Sequence, residues 1–489
     1  MKYEAVIGLE IHVELNTPTK LFCDCPNRPG DAPNVNICPI CLWLPGALPR
    51  LSQEVLEKAV IACLALNCTI QPESAFDQKV YYYPDLPKGF QLSQHHKPLA
   101  RNGYLDILVD SRNPGRLGIH HIHLEEDVAK LLHETEDRTP ISLVDFNRAG
   151  APLIEIVTEP DMRNPIEAME FLKVLRTQIR YTGASECSLE KGSMRVDANI
   201  SIRPQGSSLL NTKVEVKNMN SIQHVGDAIA YEIKRQAECL EKNEPVVLHT
   251  RLWDCEKQMT CAMRGKFSGP CVPDPAVPQI VIDDDWLALR KAKLPEMPIQ
   301  KGERFIATYG LNRDEALIMS QERELSEFFE KAVRDYLQPR KAANWIAAHL
   351  IPALKDQGKS ISEVPLTPER FQALLCMQDQ DEINANAARE VLLRMLAEDK
   401  NPENIVEERG FRQVSDTDAL ETIVNRILTD NPSGIQDYKS GNTKVLGFFI
   451  GQAMKATQGK ANPKVLNELF IKKLSVLISA DTNPPCLNL

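Results

Sequence analysis

The sequence predicts an α+β protein, a mixed-sheet domain followed by an all-helical domain and a small helical tail, on three observations. Before about residue 290, charged and apolar residues alternate with the period of a strand in run after run. Beyond that point apolar residues recur with the period of a helix. A length of 489 residues also exceeds what one hydrophobic core organises well, so the chain divides into several domains. Their bounds are set at 1–292, 293–405 and 406–489.

The strand evidence begins at 9–14, where Leu9, Ile11 and Val13 fall on one face and Glu10, His12 and Glu14 on the other. The runs 141–146 and 153–157 are further strands. In 194–202, Met194, Val196, Ala198, Ile200 and Ile202 alternate with Arg195, Asp197, Asn199 and Ser201. The run 213–217 sets Lys213, Glu215 and Lys217 opposite Val214 and Val216. Several half-buried strands thus each present a row of charged or amide groups. Between them, Asn164 as N-cap, Pro165 at the first helical position and Glu167 at the third open a helix. Its apolar stripe is Ile166, Met169, Leu172, Leu175 and Ile179. A second helix spans 228–240.

The helical half follows as 312–335, 341–355 and 367–377, the last opening on Thr367-Pro368, then 384–396, 402–409 and 416–428. Helices of three turns or more on short connections suggest a bundle.

Composition narrows the function classes. Apolar residues at 43% and charged residues at 25% describe a folded chain, and a formal charge of -10 excludes a generally basic nucleic-acid coat while permitting a local basic patch. Thirteen cysteines are too few for a disulfide scaffold of this length. The start goes straight into a strand pattern, and no later stretch reaches about 18 apolar residues. A cytoplasmic protein with no membrane association is expected.

Three constellations carry chemistry. Cys23 and Cys25, then Cys38 and Cys41, form two close thiol pairs across a Pro- and Gly-rich loop, a set able to close a tetrahedral structural zinc site. A redox pair or four ordinary cysteines are the alternatives. The second is an acidic group with imidazoles: Glu10 and His12 on one strand face, and His121, His123, Glu125 and Asp127 alternating in IHHIHLEEDVAK. Four of the ten histidines fall between His120 and His133. Magnesium wants such carboxylates together with substrate phosphates, and Asp197 and Glu215 add acids on later strands. A solvated acidic face is the alternative. The third is YYYPDLPKGFQLSQHH, residues 81–96, a rigid loop with Lys79 and Lys88 available to phosphate and Tyr81, Tyr82 and Tyr83 available for stacking or core. It is not a P-loop.

The segments IGLEIHVEL (7–15), CPICLWLPGALP (38–49), YYYPDLPKGFQLSQ (81–94), HLEEDVAK (123–130), DFNRAGAPLIEIVTEPDM (145–162), GSMRVDANISIRP (192–204), KVEVKNMNS (213–221), TRLWD (250–254) and GQAMKATQGKANP (451–463) resemble, in order, the B subunit family of the aspartyl/glutamyl-tRNA(Asn/Gln) amidotransferases. The resemblance spans nearly the whole chain. It implies a cradle domain, a helical domain and a tRNA-binding tail. It implies ATP-dependent amidation of misacylated Glu-tRNA(Gln) or Asp-tRNA(Asn): the side-chain carboxylate is phosphorylated, and ammonia from a glutaminase (A) subunit displaces phosphate. Such a glutamine-hydrolysing carbon–nitrogen ligase is a heterotrimer with a small C subunit, and the cognate non-discriminating aminoacyl-tRNA synthetase is a further partner.

The resemblance also assigns residues. Glu10, His12 and Glu125 are implied as catalytic and magnesium-binding, Lys79, Tyr83, Asp197 and Glu215 as lining the ATP and tRNA-acceptor cavity, and Cys23, Cys25, Cys38 and Cys41 as the zinc set, which is not cysteine in every member. Lys439, Lys444, Lys455, Lys460, Lys464, Lys472 and Lys473 give the tail a basic face suited to RNA backbone. Three departures stand out. Val128-Ala129 replaces the family's usual Ala-Gly, Trp43 replaces a usual glycine, and the 263–275 segment is shortened and lacks its histidine and tyrosine. The last favours an alternative in which the cradle has lost its kinase chemistry and the chain only recruits tRNA. A freestanding metallohydrolase is a third reading, and it leaves the tail unexplained.

Overall fold

The computed structural model describes residues 3–110, 113–136, 139–263, 269–413, 417–457 and 461–481. The chain forms two compact units, Met1–Pro298 and Ile299–Leu489.

In the first unit, β1 (Tyr3–Glu14) leads to α1 (Gln53–Ala65), then β2 (Thr69–Ile70), β3 (Glu73–Val80), β4 (Phe90–Lys97), β5 (Ala100–Asp110), β6 (Asn113–Glu126), β7 (Lys130–Glu136), β8 (Thr139–Asp145) and β9 (Pro152–Thr158). After α2 (Pro165–Thr182) come β10 (Met194–Pro204), β11 (Val214–Lys217), α3 (Ile222–Glu241), β12 (Thr250–Asp254), β13 (Met259–Ala262), β14 (Cys271–Pro273), β15 (Ile280–Val281) and α4 (Asp284–Lys293). The main sheet has the order β13-β12-β11-β10-β1-β9-β6-β5-β2. Its β11–β12 pair is parallel and β1 runs antiparallel to both neighbours, so the sheet is mixed.

The predicted alternation decides which face is covered. Leu9, Ile11 and Val13 are buried in one core with Phe171, Leu172, Leu175 and Ile179 of α2 and Val225, Ala228 and Ile229 of α3. Glu10 and His12 are left on the opposite face. The N-cap of α2 forms as read: Asn164 Oδ1 accepts from Glu167 N at 3.0 Å, and Asn164 Nδ2 donates to the Glu167 carboxylate. One residue of the predicted stripe is misplaced, because Ile166 is 56% exposed and the buried face begins at Ala168. At N2 the first turn still points away from the sheet.

A second sheet is built around β3, which pairs with β4, β14 and β15. It is fixed to the first through β4 and β6: Leu124 N donates to Gln94 Oε1, Gln91 Nε2 to Glu126 O, and Leu92 N to Glu126 Oε1. That junction brings β3, with Lys79, toward the uncovered face. Strands β7 and β8 form a separate hairpin.

The second unit is largely helical, from Pro298–Tyr309 to Pro463–Asp481. The predicted helix 312–335 is two helices, Arg313–Ser320 with a full Asn312/Glu315 capping box and Arg323–Ala332. The predicted 341–355 contains a π turn, Ile346–Leu350, just ahead of Pro352. Proline has no N–H for the carbonyl four residues back, and the wider turn absorbs that loss. One apolar cluster runs from Phe305 to Val406 and another from Leu420 to Leu474. Among the described residues no helix is long and apolar enough to cross a membrane.

Candidate functional site

Five adjacent strands place their charged rows side by side on the face opposite α2 and α3. Across the β1–β10 ladder Glu10 faces Asp197, and across β10–β11 Asn199 faces Glu215. On the other side of β1, His12 faces Glu155 of β9, and Glu155 in turn faces His123 of β6. The period of two then adds Glu125 beside His123.

Two groups result. In the first, His12 Nε2 lies 3.2 Å from Glu125 Oε1 and 3.5 Å from Glu155 Oε2, while His123 Nε2 lies 3.1 Å from Glu155 Oε2. Burial alone would raise the Glu125 carboxyl, and so would Glu155. The neighbouring His12 and His123 imidazoles overcome both and bring it down to about 2. Glu155 is likewise held well below the usual carboxylate range against its burial, by His123 and His12. The reciprocal effect holds protons on the rings: burial opposes it, yet the carboxylates push His12 up and take His123 to about 9. Without a metal, the arrangement thus favours ionised carboxylates facing protonated rings. Glu125 Oε2 and His123 Nδ1 are nevertheless buried without a hydrogen bond.

The second group is Glu10, Asp197 and Glu215, with ligand atoms within 4.8 Å of one another. Lys217 Nζ sits 2.5 Å from Asp197 Oδ2 and 3.0 Å from Glu215 Oε1, and Thr250 donates to Glu215. Asn199 Nδ2 donates to Glu10 Oε1 at 2.8 Å. Burial and the neighbouring Glu155 raise the Glu10 carboxyl. His12, Glu125 and Glu155 also bring ligand atoms within 4.8 Å of one another. Three carboxylates are a donor set that suits a hard divalent cation; in the other group Glu125 and Glu155 offer carboxylate oxygens, the orphaned Glu125 oxygen among them, and His12 would have to give up its proton to join them as a ligand.

Glu10 therefore belongs with Asp197 and Glu215, whereas His12 and Glu125 belong with Glu155. Lys79, half-buried on β3, joins both groups electrostatically. Its burial disfavours the charge, but Glu125, Glu155, Cys271 and Glu10 hold its ammonium form. Tyr83 stands on the surface at 43% exposed. Sequence reasoning missed Glu155, although a lone acid in the apolar strand LIEIV was its visible signal.

Cys23, Cys25, Cys38 and Cys41 bring all four sulfurs within 4.8 Å of one another. Cys38 N donates to Cys41 Sγ at 3.1 Å. The Cys23 thiol hydrogen-bonds to Cys41 and, with help from Lys20, lowers Cys41 to about 5, while Cys23 itself is raised. Four sulfurs this close, with one already favoured as thiolate, fit a tetrahedral metal.

The departures have structural readings. Trp43 adopts φ 55, the left-handed region that a glycine enters freely, and its ring packs edge-on to Phe90 with the Lys88 ammonium 5.2 Å above it. Ala129 is buried at an ordinary negative φ, so the methyl in place of hydrogen is accommodated. Of the shortened 263–275 segment, 264–268 lie outside the described residues; its far end returns as β14, with Cys271 directly opposite Lys79. In the tail, Lys464 pairs with Asp381 and Lys473 with Glu421, and Lys460 lies outside the described residues.

Comparison with known proteins identifies the family. A family model described as the GatB/GatE catalytic domain matches residues 5–288, and a GatB domain model matches 327–474. The chain is similar to the B subunit, numbered 1, of the aspartyl/glutamyl-tRNA(Asn/Gln) amidotransferase of Syntrophus aciditrophicus, 61% identical over 98% of this chain and 100% of that protein. It is similar to the corresponding B subunits of Carboxydothermus hydrogenoformans (46% identical, over 97% of this chain and all of that one) and Thermodesulfovibrio yellowstonii (44%, over 97% of this chain and all of that one).

Proposed function

This chain belongs to the GatB family of tRNA-dependent amidotransferase B subunits, and on that premise we propose that it carries the ATP-dependent amidation of misacylated Glu-tRNA(Gln), Asp-tRNA(Asn) or both. The observation that carries the reading is the two-part acidic face: His12, Glu125 and Glu155 beside Glu10, Asp197 and Glu215. A carboxylate resists ammonia because its leaving group would be oxide, so it must first be phosphorylated. Magnesium, when bound by these groups, neutralises charge on the phosphoryl oxygens.

The chain's own residues do the rest. Lys79 keeps its charge among the acids, so it is available to a phosphate. Glu125 and Glu155 stay ionised against their burial and keep an anionic site ready. His12 and His123 balance that charge, and a divalent cation bound there would do so in place of their protons, which would pass to solvent. The tail lysines offer a tRNA backbone surface. The proposal includes a heterotrimer with an amidase subunit supplying ammonia and a small C subunit, in the cytoplasm, where free thiols persist.

The test is amide formation on mischarged tRNA(Gln) and tRNA(Asn) by the co-expressed complex, with glutamine or ammonium, with and without ATP, beside Glu125→Gln. ATP-dependent product lost in the variant supports an active cradle. Binding of tRNA with no amide even from ammonium overturns it in favour of a recruiting scaffold.

A further inference from the structure

Lys20 is among the largest fully buried side chains, at 0% exposed. Its ammonium donates only to carbonyls, Asn36 O at 2.8 Å and Phe146 O at 3.4 Å, and among the described residues no carboxylate pairs with it. A buried, unpaired ammonium is strongly disfavoured. Lys20 lines one cavity with Cys23 and Cys41, and a Cβ on Gly150 would stand 3.5 Å from Lys20 Cδ and 3.6 Å from Cys41 Cβ. The cavity's one carboxylate, Glu126, is taken by Lys88, which leaves the sulfur cluster as the missing anion. Four thiolates around a divalent ion form a dianion, the largest negative charge this cavity can set beside the ammonium.

Lys20 also ties two segments together. Asn36 N donates to Asn147 Oδ1, Asn147 Nδ2 to Ala32 O, Phe146 N to Asn34 Oδ1 and Asn34 N to Asp145 Oδ1. The far side of that turn grips the connection that follows β6: Arg148 donates to Val128 O and Ala129 O, and Gly150 N to Asp127 O. Glu125 lies two residues back along the chain from Asp127.

We propose that Lys20 is the buried counter-charge of a metal–thiolate cluster at Cys23, Cys25, Cys38 and Cys41, and that through it the bound metal holds the 145–148 turn against the strand bearing Glu125. Lys20 is thus a positioning residue, and the cysteine site, remote from Glu125 in sequence, is mechanically joined to it.

The test uses the full-length chain and Lys20→Met, each metal-loaded and chelator-stripped. Release of metal to a chelator is expected to be at least tenfold faster in the variant. The melting deficit of the variant relative to wild type should be clearly larger in the loaded than in the stripped form, since only the loaded cluster presents the full dianion to the ammonium. Amide exchange at 144–150 in wild type should rise at least tenfold on stripping, with α3 unchanged. An equal melting deficit in both forms, or an unchanged release rate, overturns the proposal by making Lys20 mere packing. If the variant does not fold, the wild-type exchange result decides: unchanged protection at 144–150 overturns it.

Discussion

Glu155 stands directly across the β1–β9 ladder from His12 and directly across the β9–β6 ladder from His123, and one of its oxygens lies 3.5 Å and 3.1 Å from the two imidazoles. It joins three strands that would otherwise contribute isolated groups. Glu155→Gln keeps the shape and removes the charge. The magnesium half-saturation of amidation is expected to rise by about 10- to 100-fold, with an unchanged far-UV spectrum. A magnesium titration superimposable on wild type would remove Glu155 from the site.

The ring protons of the same group make stability depend on pH. His123 is taken from the ordinary histidine value to about 9 by its carboxylate neighbours despite burial, and His12 is raised too. A folded-state pKa above the unfolded one gives stability that is whole below about pH 6.5 and is lost as pH rises through about 9. The metal-free protein should therefore lose on the order of 3 kcal/mol between those values, taking His123 alone. Magnesium replaces the protons as neutralising charge, so saturating magnesium should flatten the decline. Urea unfolding at both pH values, with chelator and with magnesium, measures this; equal slopes would contradict it.

Trp43 in the left-handed region carries a backbone cost of roughly 1 kcal/mol that its ring contacts with Phe90 and Lys88 offset. Trp43→Ala loses the contacts and keeps the cost, whereas Trp43→Gly loses both. Both should destabilise, with the alanine variant the worse by about 1 kcal/mol, although it retains one more carbon. Calorimetry of the pair checks the order, and alanine at or above glycine would place the conformation elsewhere.

Much of this architecture was legible because a charged row opposite an apolar row can only be a half-covered sheet. Glu10, His12, Asp197 and Glu215 were found that way, each by its alternation on its own strand. Strand order was not legible, so the division into Glu10 with Asp197 and Glu215, and His12 with Glu125 and Glu155, had to come from the β10-β1-β9-β6 register. Glu155 escaped because β9 is central and apolar on both sides of it, which hides the period of two. Lys20 escaped for a different reason: a lysine reads as surface, and nothing in TPTKLFC says that its ammonium is enclosed. The 312–335 helix breaks where Glu322 turns extended without a side-chain cap, a backbone change that no residue signals and that the helical period runs across.

Lys217 occupies the second acidic group as a built-in cation, 2.5 Å from Asp197 and 3.0 Å from Glu215. Burial would drive its proton off, and those two carboxylates hold it on. A divalent ion entering Glu10, Asp197 and Glu215 must displace the ammonium or share its ligands, so the lysine competes with metal at close range. Lys217→Met removes the competitor and leaves three carboxylates with like-charge repulsion. The metal-free variant should be less stable, by about 1 kcal/mol for the half-buried carboxylates left without their cation. Its affinity for manganese, used as a paramagnetic stand-in for magnesium, should instead rise by about tenfold, the equivalent of roughly 1.4 kcal/mol. Water-proton relaxation titration of the full-length chain reads that affinity directly. Weaker binding in the variant would mean that Lys217 orients the carboxylates for the ion and does not compete with it.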